Sequence, residues 1–227
     1  MNKTTGGTEY FDSLAASWGN RFTKSGPMRD RLTRFQLALT SRLTPGARVL
    51  DFGCGTGEIT TACALAGFEL VGVDRSAQMV QKARDNTRGG HTRFEVLADR
   101  PGPLRLPFEE KEFAGVLASS VLEYITDAAG AFTEMHRVTA DAAWIFVTVP
   151  NVWHPIRIAE WLALKLSPIL RSVLPARLRS HLVYIQLSIN RFGAKRWSAL
   201  LKSAHWDCVE VSGYLSPLIL IVARKPS

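Results

Sequence analysis

The sequence predicts an α/β fold in which a largely parallel sheet is covered by helices on both faces. Short apolar runs rich in Val, Leu and Phe alternate with helix-period segments from Arg48 onward. Gly53, Gly55 and Gly57 follow the first apolar run directly, where they leave a backbone without Cβ atoms at the start of a helix. With 227 residues and 46% hydrophobic content, the chain can bury one sizeable core, so a single domain is expected.

The elements follow in order. Residues 10–20 put Phe11, Leu14 and Trp18 on one helical face, and residues 28–42 hold the same period with Leu32, Phe35 and Leu39. Both helices stand ahead of the sheet. Strands are expected at 49–53, 70–74, 94–98, 115–119 and 144–149, with helices at 58–66, 77–88 and 128–138. Ser76 suits the N-cap of the second of these. Residues 155–167 and 175–189 read as amphipathic helices punctuated by Pro155, Pro168 and Pro175. Strands at 208–211 and 218–223 close the sheet. The expected division is an N-terminal helical segment (1–47), a Rossmann-like ligand-binding core (48–150), an amphipathic helical insert (151–192) and a completing helix and strands (193–227).

Charge is placed unevenly. Residues 1–150 carry 17 Lys+Arg and 17 Asp+Glu, whereas residues 151–227 carry 11 against 3, so the whole net charge of +8 lies in the last third. Such a concentration fits either a solvated basic face or an anionic partner. Three cysteines without metal-ligand spacing argue against a disulfide framework and fit a reducing cytoplasm. The polar stretch from Met1 to Glu9 predicts no secretory signal. No run approaches the ~20 apolar residues of a spanning helix.

A glycine loop after a strand is either a plain tight turn or a ligand cradle. A dinucleotide fingerprint needs glycine at position 58, where Glu58 stands. A carboxylate there opposes a pyrophosphate. With Asp51 ahead of the loop, the pocket suits a ligand with an ammonium group and no phosphates. Asp74, 17 residues past Gly57, can accept hydrogen bonds from both ribose hydroxyls.

These motifs, Asp51-Phe-Gly-Cys-Gly-Thr-Gly57 with Val71-Gly-Val-Asp-Arg-Ser-Ala-Gln-Met79 and Leu106-Pro-Phe108, resemble class I S-adenosylmethionine (SAM) methyltransferases. Within them the chain is most similar to ubiquinone-biosynthesis O-methyltransferases. The resemblance implies a seven-stranded sheet with an antiparallel last strand, SAM as cofactor and S-adenosylhomocysteine as product. It places Gly53, Cys54, Gly55 and Gly57 against the methionine and ribose, below Asp51. Asp74, with Arg75 adjoining, would hold the ribose. Met79 would lie on the adenine face, and Asp99 and Arg100 on its edge. Ser119 would lie by the methionine moiety. Arg34 would clamp the methionine carboxylate, with Arg31 as its competitor one turn away. Tyr10, Phe11 and Trp18 would form an aromatic lid over the sulfonium, or an ordinary helix on the sheet edge.

The chain departs from that subfamily where a divalent metal would be held. Of a Glu…Glu-His set only Glu123 remains, with Ser120 and Tyr124 in the other places. No metal is expected. Methyl transfer to a phenol benefits from a base, and Tyr124, Glu123 and His154 are the candidates. Tyr124 reads at least equally as a pocket wall, and His154 reads as a helix-entry residue before it reads as a base.

Arg157, Lys165, Arg171, Arg177 and Arg179 oppose one Glu160 along the insert, beside Ile158, Trp161, Leu162 and Leu166. This is the profile of a helix in an anionic lipid interface, through residues 153–182, or of a cap over a greasy substrate. The expected function is methylation of a small, lipophilic or aromatic acceptor, with oxygen the favoured atom and nitrogen or carbon the alternatives, by a cytoplasmic enzyme that the lipid reading would set at the inner face of the membrane. An RNA methyltransferase and a SAM-binding or lipid-binding module without catalysis are the alternatives. The aliphatic faces among the positive charges argue against nucleic acid.

Overall fold

The computed structural model describes residues 3–20, 26–87, 92–98, 101–170, 182–183 and 185–227. Two helices come first, α1 (Lys3–Trp18) and α2 (Gly26–Thr40). Then β1 (Arg48–Phe52), α3 (Glu58–Leu65), β2 (Glu69–Asp74), α4 (Ala77–Asn86), β3 (Thr92–Val96) and β4 (Phe113–Ser119) alternate. A 3₁₀ turn (Leu122–Tyr124) leads to α5 (Ala128–Val138) and the long β5 (Thr139–Pro150). The chain closes with α6 (Pro155–Leu170), α7 (Ala194–Ser203), β6 (Asp207–Ser212) and β7 (Leu218–Arg224).

The strands form one sheet in the order β3-β2-β1-β4-β5-β7-β6. All pairings from β3 to β5 are parallel, and β7 runs antiparallel between β5 and β6. Both faces are buried, because neighbours in one strand serve opposite layers. Leu50 packs with Phe132 and Trp197, whereas Val49 packs with Phe35, Ile59 and Phe68. A sheet covered on both sides needs apolar residues at successive positions. That is why β1 and β7 read as continuous runs rather than alternations.

Strand order reverses between β1 and β4, which opens a crevice at their carboxyl ends. Gly53, Val121 and the 3₁₀ turn lie around this crevice.

Several boundaries differ from expectation. The first helix starts at Lys3 rather than at residue 10. β3 runs from Thr92 to Val96, earlier than 94–98. β5 begins at Thr139 because Thr139 pairs with Phe113 ahead of a register shift, with Ala142 at φ 60 absorbing the irregularity. α6 continues through Pro168 to Leu170; in the last turn a proline forgoes its own amide bond without dividing the helix. The expected second insert helix, 175–189, falls largely outside the described residues. Of the rest, 182–183 and 185–187 are helical, and the chain leaves the helix by Ser188, after which the Ile189 and Asn190 amides both donate to the Glu123 carbonyl.

Candidate active site

The glycine loop is held in a shape that other residues resist. Gly53, Gly55 and Gly57 have φ of 77, 54 and 82°, a region costly for residues with a Cβ. A Cβ on Gly53 would fall against the Val121 side chain, and one on Gly57 would stand 3.0 Å from both Ala83 and Phe94. Beneath the loop Asp51 is 1% exposed. Its Oδ2 accepts from Thr60 Oγ1 at 2.6 Å, while Oδ1 has no partner among the described residues. Burial pushes its carboxyl up to about 7, with Asp74 and Glu58 adding to the effect.

Asp74 ends β2 under the same loop. Its oxygens accept the Gly55 amide at 2.9 Å and the Ser76 amide at 2.9 Å. Burial raises its pKa against these bonds. Glu58, in the first turn of α3, accepts from Thr56 Oγ1 at 2.7 Å. It sets negative charge at the amide end where a pyrophosphate would bind. Met79 is buried, with its amide on the capping hydroxyl of Ser76, and Arg75 is exposed. Asp99 and Arg100 lie outside the described residues. Burial and the neighbouring carboxylates push the Cys54 thiol far up, so it stays protonated and unreactive.

The two arginines of α2 part company. Arg34 Nη1 points to the Leu218 carbonyl at 3.5 Å, at the base of the β6–β7 connection. Arg31 Nη1 instead reaches Ser119 Oγ at 3.5 Å, at the end of β4. One helical turn separates them in sequence, and the register of α2 on the sheet turns only Arg31 toward the crevice. The sequence expectation for Arg34 is corrected on this point.

α1 crosses the glycine loop. Trp18 Nε1 stands 3.6 Å from the Cβ position of Gly55. Phe11 meets Trp18 edge-on at 5.8 Å and Tyr124 at 5.2 Å, and Tyr10 lies against Phe11 at 5.7 Å. Asp12 fastens the helix by accepting from Ser76 Oγ at 2.5 Å and the Gln78 amide at 3.3 Å. Sequence reasoning missed this latch, although Asp facing a helix N-terminus is a favourable charge arrangement.

Beyond Tyr124 opens a cavity of about 430 Å³. Trp153, Ile158, Trp161 and Ile185 give it apolar walls, and Glu123, Arg157, Glu160 and Arg191 give it charge. Glu123 is 2% exposed, and its Oε2 has no hydrogen-bond partner among the described residues. Burial raises its carboxyl to about 7, with Arg31 and Arg157 pulling the other way. Arg157 is bound to Glu160 at 2.9 Å. Arg191 donates to the Ile185 and Ser188 carbonyls, and burial lowers its pKa. The i, i+3 spacing of Arg157 and Glu160 was a visible signal for the pair; Arg191 had none.

His154 stands apart. Its Nδ1 accepts the Ile156 amide at 3.3 Å, capping α6, and it does not line the cavity. It stands at the entry of α6, as the helix-entry alternative had it, and not on the cavity wall where a base would be needed. Among the described residues no group of three or more His, Cys, Asp or Glu side chains is assembled for a metal, and no helix is long and apolar enough to cross a membrane.

The family model described as a methyltransferase domain matches residues 50–147. The chain is similar to a demethylmenaquinone methyltransferase of Lactiplantibacillus plantarum, 31% identical over 59% of this chain and 57% of that one. A demethylmenaquinone methyltransferase of Parafrankia sp. is 29% identical over 79% and 78%. A ubiquinone biosynthesis O-methyltransferase of Bordetella pertussis is 24% identical over 63% and 60%. The chain thus spans little more than half the length of the first of these relatives. Among solved structures, magnesium protoporphyrin IX methyltransferase from Synechocystis PCC 6803 with bound SAH shares the fold, with a TM-score of 0.71 at 15% identity over 97% of this chain and 99% of that one.

Proposed function

With residues 50–147 a methyltransferase domain and the chain folded as a class I SAM-dependent methyltransferase, we propose that it methylates a small, lipophilic aromatic acceptor of the quinone-precursor type. The observation that carries the reading is the buried Glu123 carboxylate, one oxygen of which has no partner among the described residues, on the wall of a cavity that shares Tyr124 with the aromatic cluster over the glycine loop. Relatives named for demethylmenaquinone and ubiquinone substrates support the acceptor class.

The residues present fit SAM. Asp51 keeps an orphaned oxygen under the positive-φ loop, and Asp74 stands at the end of β2 for the ribose hydroxyls. Gly53, Cys54, Gly55 and Gly57 would line the ligand, Arg31 beside Ser119 would meet the methionine carboxylate, and Arg75, Met79, Asp99 and Arg100 the adenosine end. When bound, SAM supplies a methyl group on an activated sulfonium. Tyr10, Phe11 and Trp18 keep water from that position, and aromatic faces there favour positive charge.

Glu123 takes the proton of the acceptor hydroxyl at its free oxygen, which makes oxygen the favoured atom of methylation. Tyr124 forms the wall between lid and cavity and orients the ring. The same reading sets α6 in an anionic lipid surface. Trp161, Leu162 and Leu166 are about half exposed along it, and Lys165 lies 5.8 Å from the Trp161 ring.

Titration calorimetry with SAM, followed by labelled-methyl transfer, tests the proposal. SAM should bind, and label should enter reduced demethylmenaquinone or a ubiquinone-precursor phenol. Label entering bulk RNA instead would overturn the acceptor class, and NAD binding in place of SAM would overturn the cofactor.

A further inference from the structure

The most exposed apolar side chain among the described residues lies outside the insert. Leu215, at the tip of the β6–β7 hairpin, is 99% exposed, and its neighbour Tyr214 is 62% exposed. Trp153, at the entry to α6, is 80% exposed. One buried side chain ties these distant points together. Asn151 Nδ2 donates to the Tyr214 carbonyl at 2.7 Å and the Ser216 carbonyl at 3.0 Å, while its Oδ1 accepts the Trp153 amide at 3.2 Å. Its own amide donates to the Pro217 carbonyl at 2.9 Å. Such a fully bonded asparagine, 3% exposed, fixes two protruding tips in one unit. A hairpin tip needing only solvation would carry polar turn residues rather than Tyr-Leu.

We propose that Trp153 and the Tyr214–Leu215 tip form a two-point docking face for an anionic lipid bilayer, beside the mouth of the acceptor cavity. This rests on the reading of a lipophilic acceptor and adds a contact point that the insert does not contain. A bilayer is the occupant because of the composition around the tips. Tyr and Trp favour the headgroup level, and a leucine can enter the acyl boundary. The guanidinium of Arg34 sits at the base of the hairpin, Lys165 lies on α6, and residues 151–227 hold 11 Lys+Arg against 3 Asp+Glu. A protein partner of the same shape would need acidic groups to answer this excess, whereas an anionic leaflet supplies them. Pro150, Val152 and Trp153 all line the cavity, so a face seated through Trp153 opens the cavity toward the lipid. A hydrophobic acceptor then enters without crossing water.

Sedimentation of the full chain with vesicles tests this. Wild type should pellet with phosphatidylcholine vesicles holding about a third phosphatidylglycerol, and far less with phosphatidylcholine alone. Leu215→Asp should lower partitioning about tenfold, since one leucine's burial is lost and a like charge added. Tyr214→Ser should lower it less. Calorimetric SAM binding should be the same in all three proteins, which separates failure of docking from failure of the methyltransferase reading. Leu215→Asp partitioning like wild type, or wild type pelleting equally with neutral vesicles, would overturn the proposal. So would wild type failing to pellet while forming a dimer that Leu215→Asp abolishes, because the occupant would then be a second copy.

Discussion

Glu123 combines two effects that a structural carboxylate would not combine. Its burial disfavours the charged form and raises the pKa to about 7, while the residue lines a cavity and its Oε2 has no hydrogen-bond partner among the described residues. A raised acid costs stability above its ordinary pKa, and the cost is complete once pH passes the folded value. Glu123→Gln should therefore stabilise the protein at pH 8 by about 2 kcal/mol and leave it little changed at pH 5. In the same variant kcat should fall about a hundredfold. Thermal melts at the two pH values and steady-state rates check both signs; a variant destabilised at pH 8 would make Glu123 a packing residue. Wild-type activity should rise with pH through about 7, since the proton acceptor is the ionised form. Arg31 and Arg34 mark the limit of residue-scale reading. Both lie on α2 with the same chemistry, and only the rotation of that helix against β4 and β7 distinguishes them.

The glycine loop and the helix above it were legible to different degrees. Gly53, Gly55 and Gly57 declared a positive-φ turn because the covalent chemistry of glycine is local. Their differing tolerance is a tertiary property. Gly53→Ala meets both the φ penalty and Val121, whereas Gly55→Ala meets only the φ penalty and a 3.6 Å contact with Trp18. Gly53→Ala should cost about 2–3 kcal/mol in chemical denaturation and Gly55→Ala about 1 kcal/mol. Equal costs would mean that Val121 yields. α1 was recognised by its aromatic stripe, but its fastening was not. Asp12 meets Ser76 across 64 residues, and no local pattern reports such a pairing. Asp12→Ala should weaken SAM binding several-fold and speed proteolysis within α1, with the melting of the core unchanged. Slower proteolysis would argue against the latch.

At the scale of the whole molecule, the alternation of strands and helices gave away the architecture because every layer had to be apolar on its inner side. The closing strands followed from the same constraint. The acceptor side was harder to read, since its cavity is assembled from three separate stretches, 123–124, 150–161 and 185–191. Stability should follow the buried ionisable groups. Asp51 and Glu123, both raised to about 7, withdraw stability as pH climbs from their ordinary range through 7. His136, held neutral by burial and Lys225 and lowered to about 4, withdraws it as pH falls below 6.5. Two raised acids outweigh one lowered histidine between their ordinary values and pH 6.5, so melting temperature should fall as pH rises from about 5 to 8, and SAM should flatten this decline by placing cationic groups beside the buried acids. A peak at pH 8 or above without ligand would contradict this assignment.

The Glu123 carbonyl, which accepts the amides of both Ile189 and Asn190, has a further effect when combined with the Asn190 side chain. That amide donates to the Leu122 and Ile125 carbonyls, so the 3₁₀ turn is clasped from both sides by the end of the insert. Glu123, the proposed proton acceptor, and the end of the insert that walls the cavity are therefore held by one set of hydrogen bonds. On the proposed reading, an incoming molecule that lifted this wall would also displace the carboxylate, and one that fitted beneath it would leave the carboxylate in place. Size exclusion and chemical readiness would then be the same event, and an ill-fitting acceptor would meet a mispositioned base rather than only a crowded pocket.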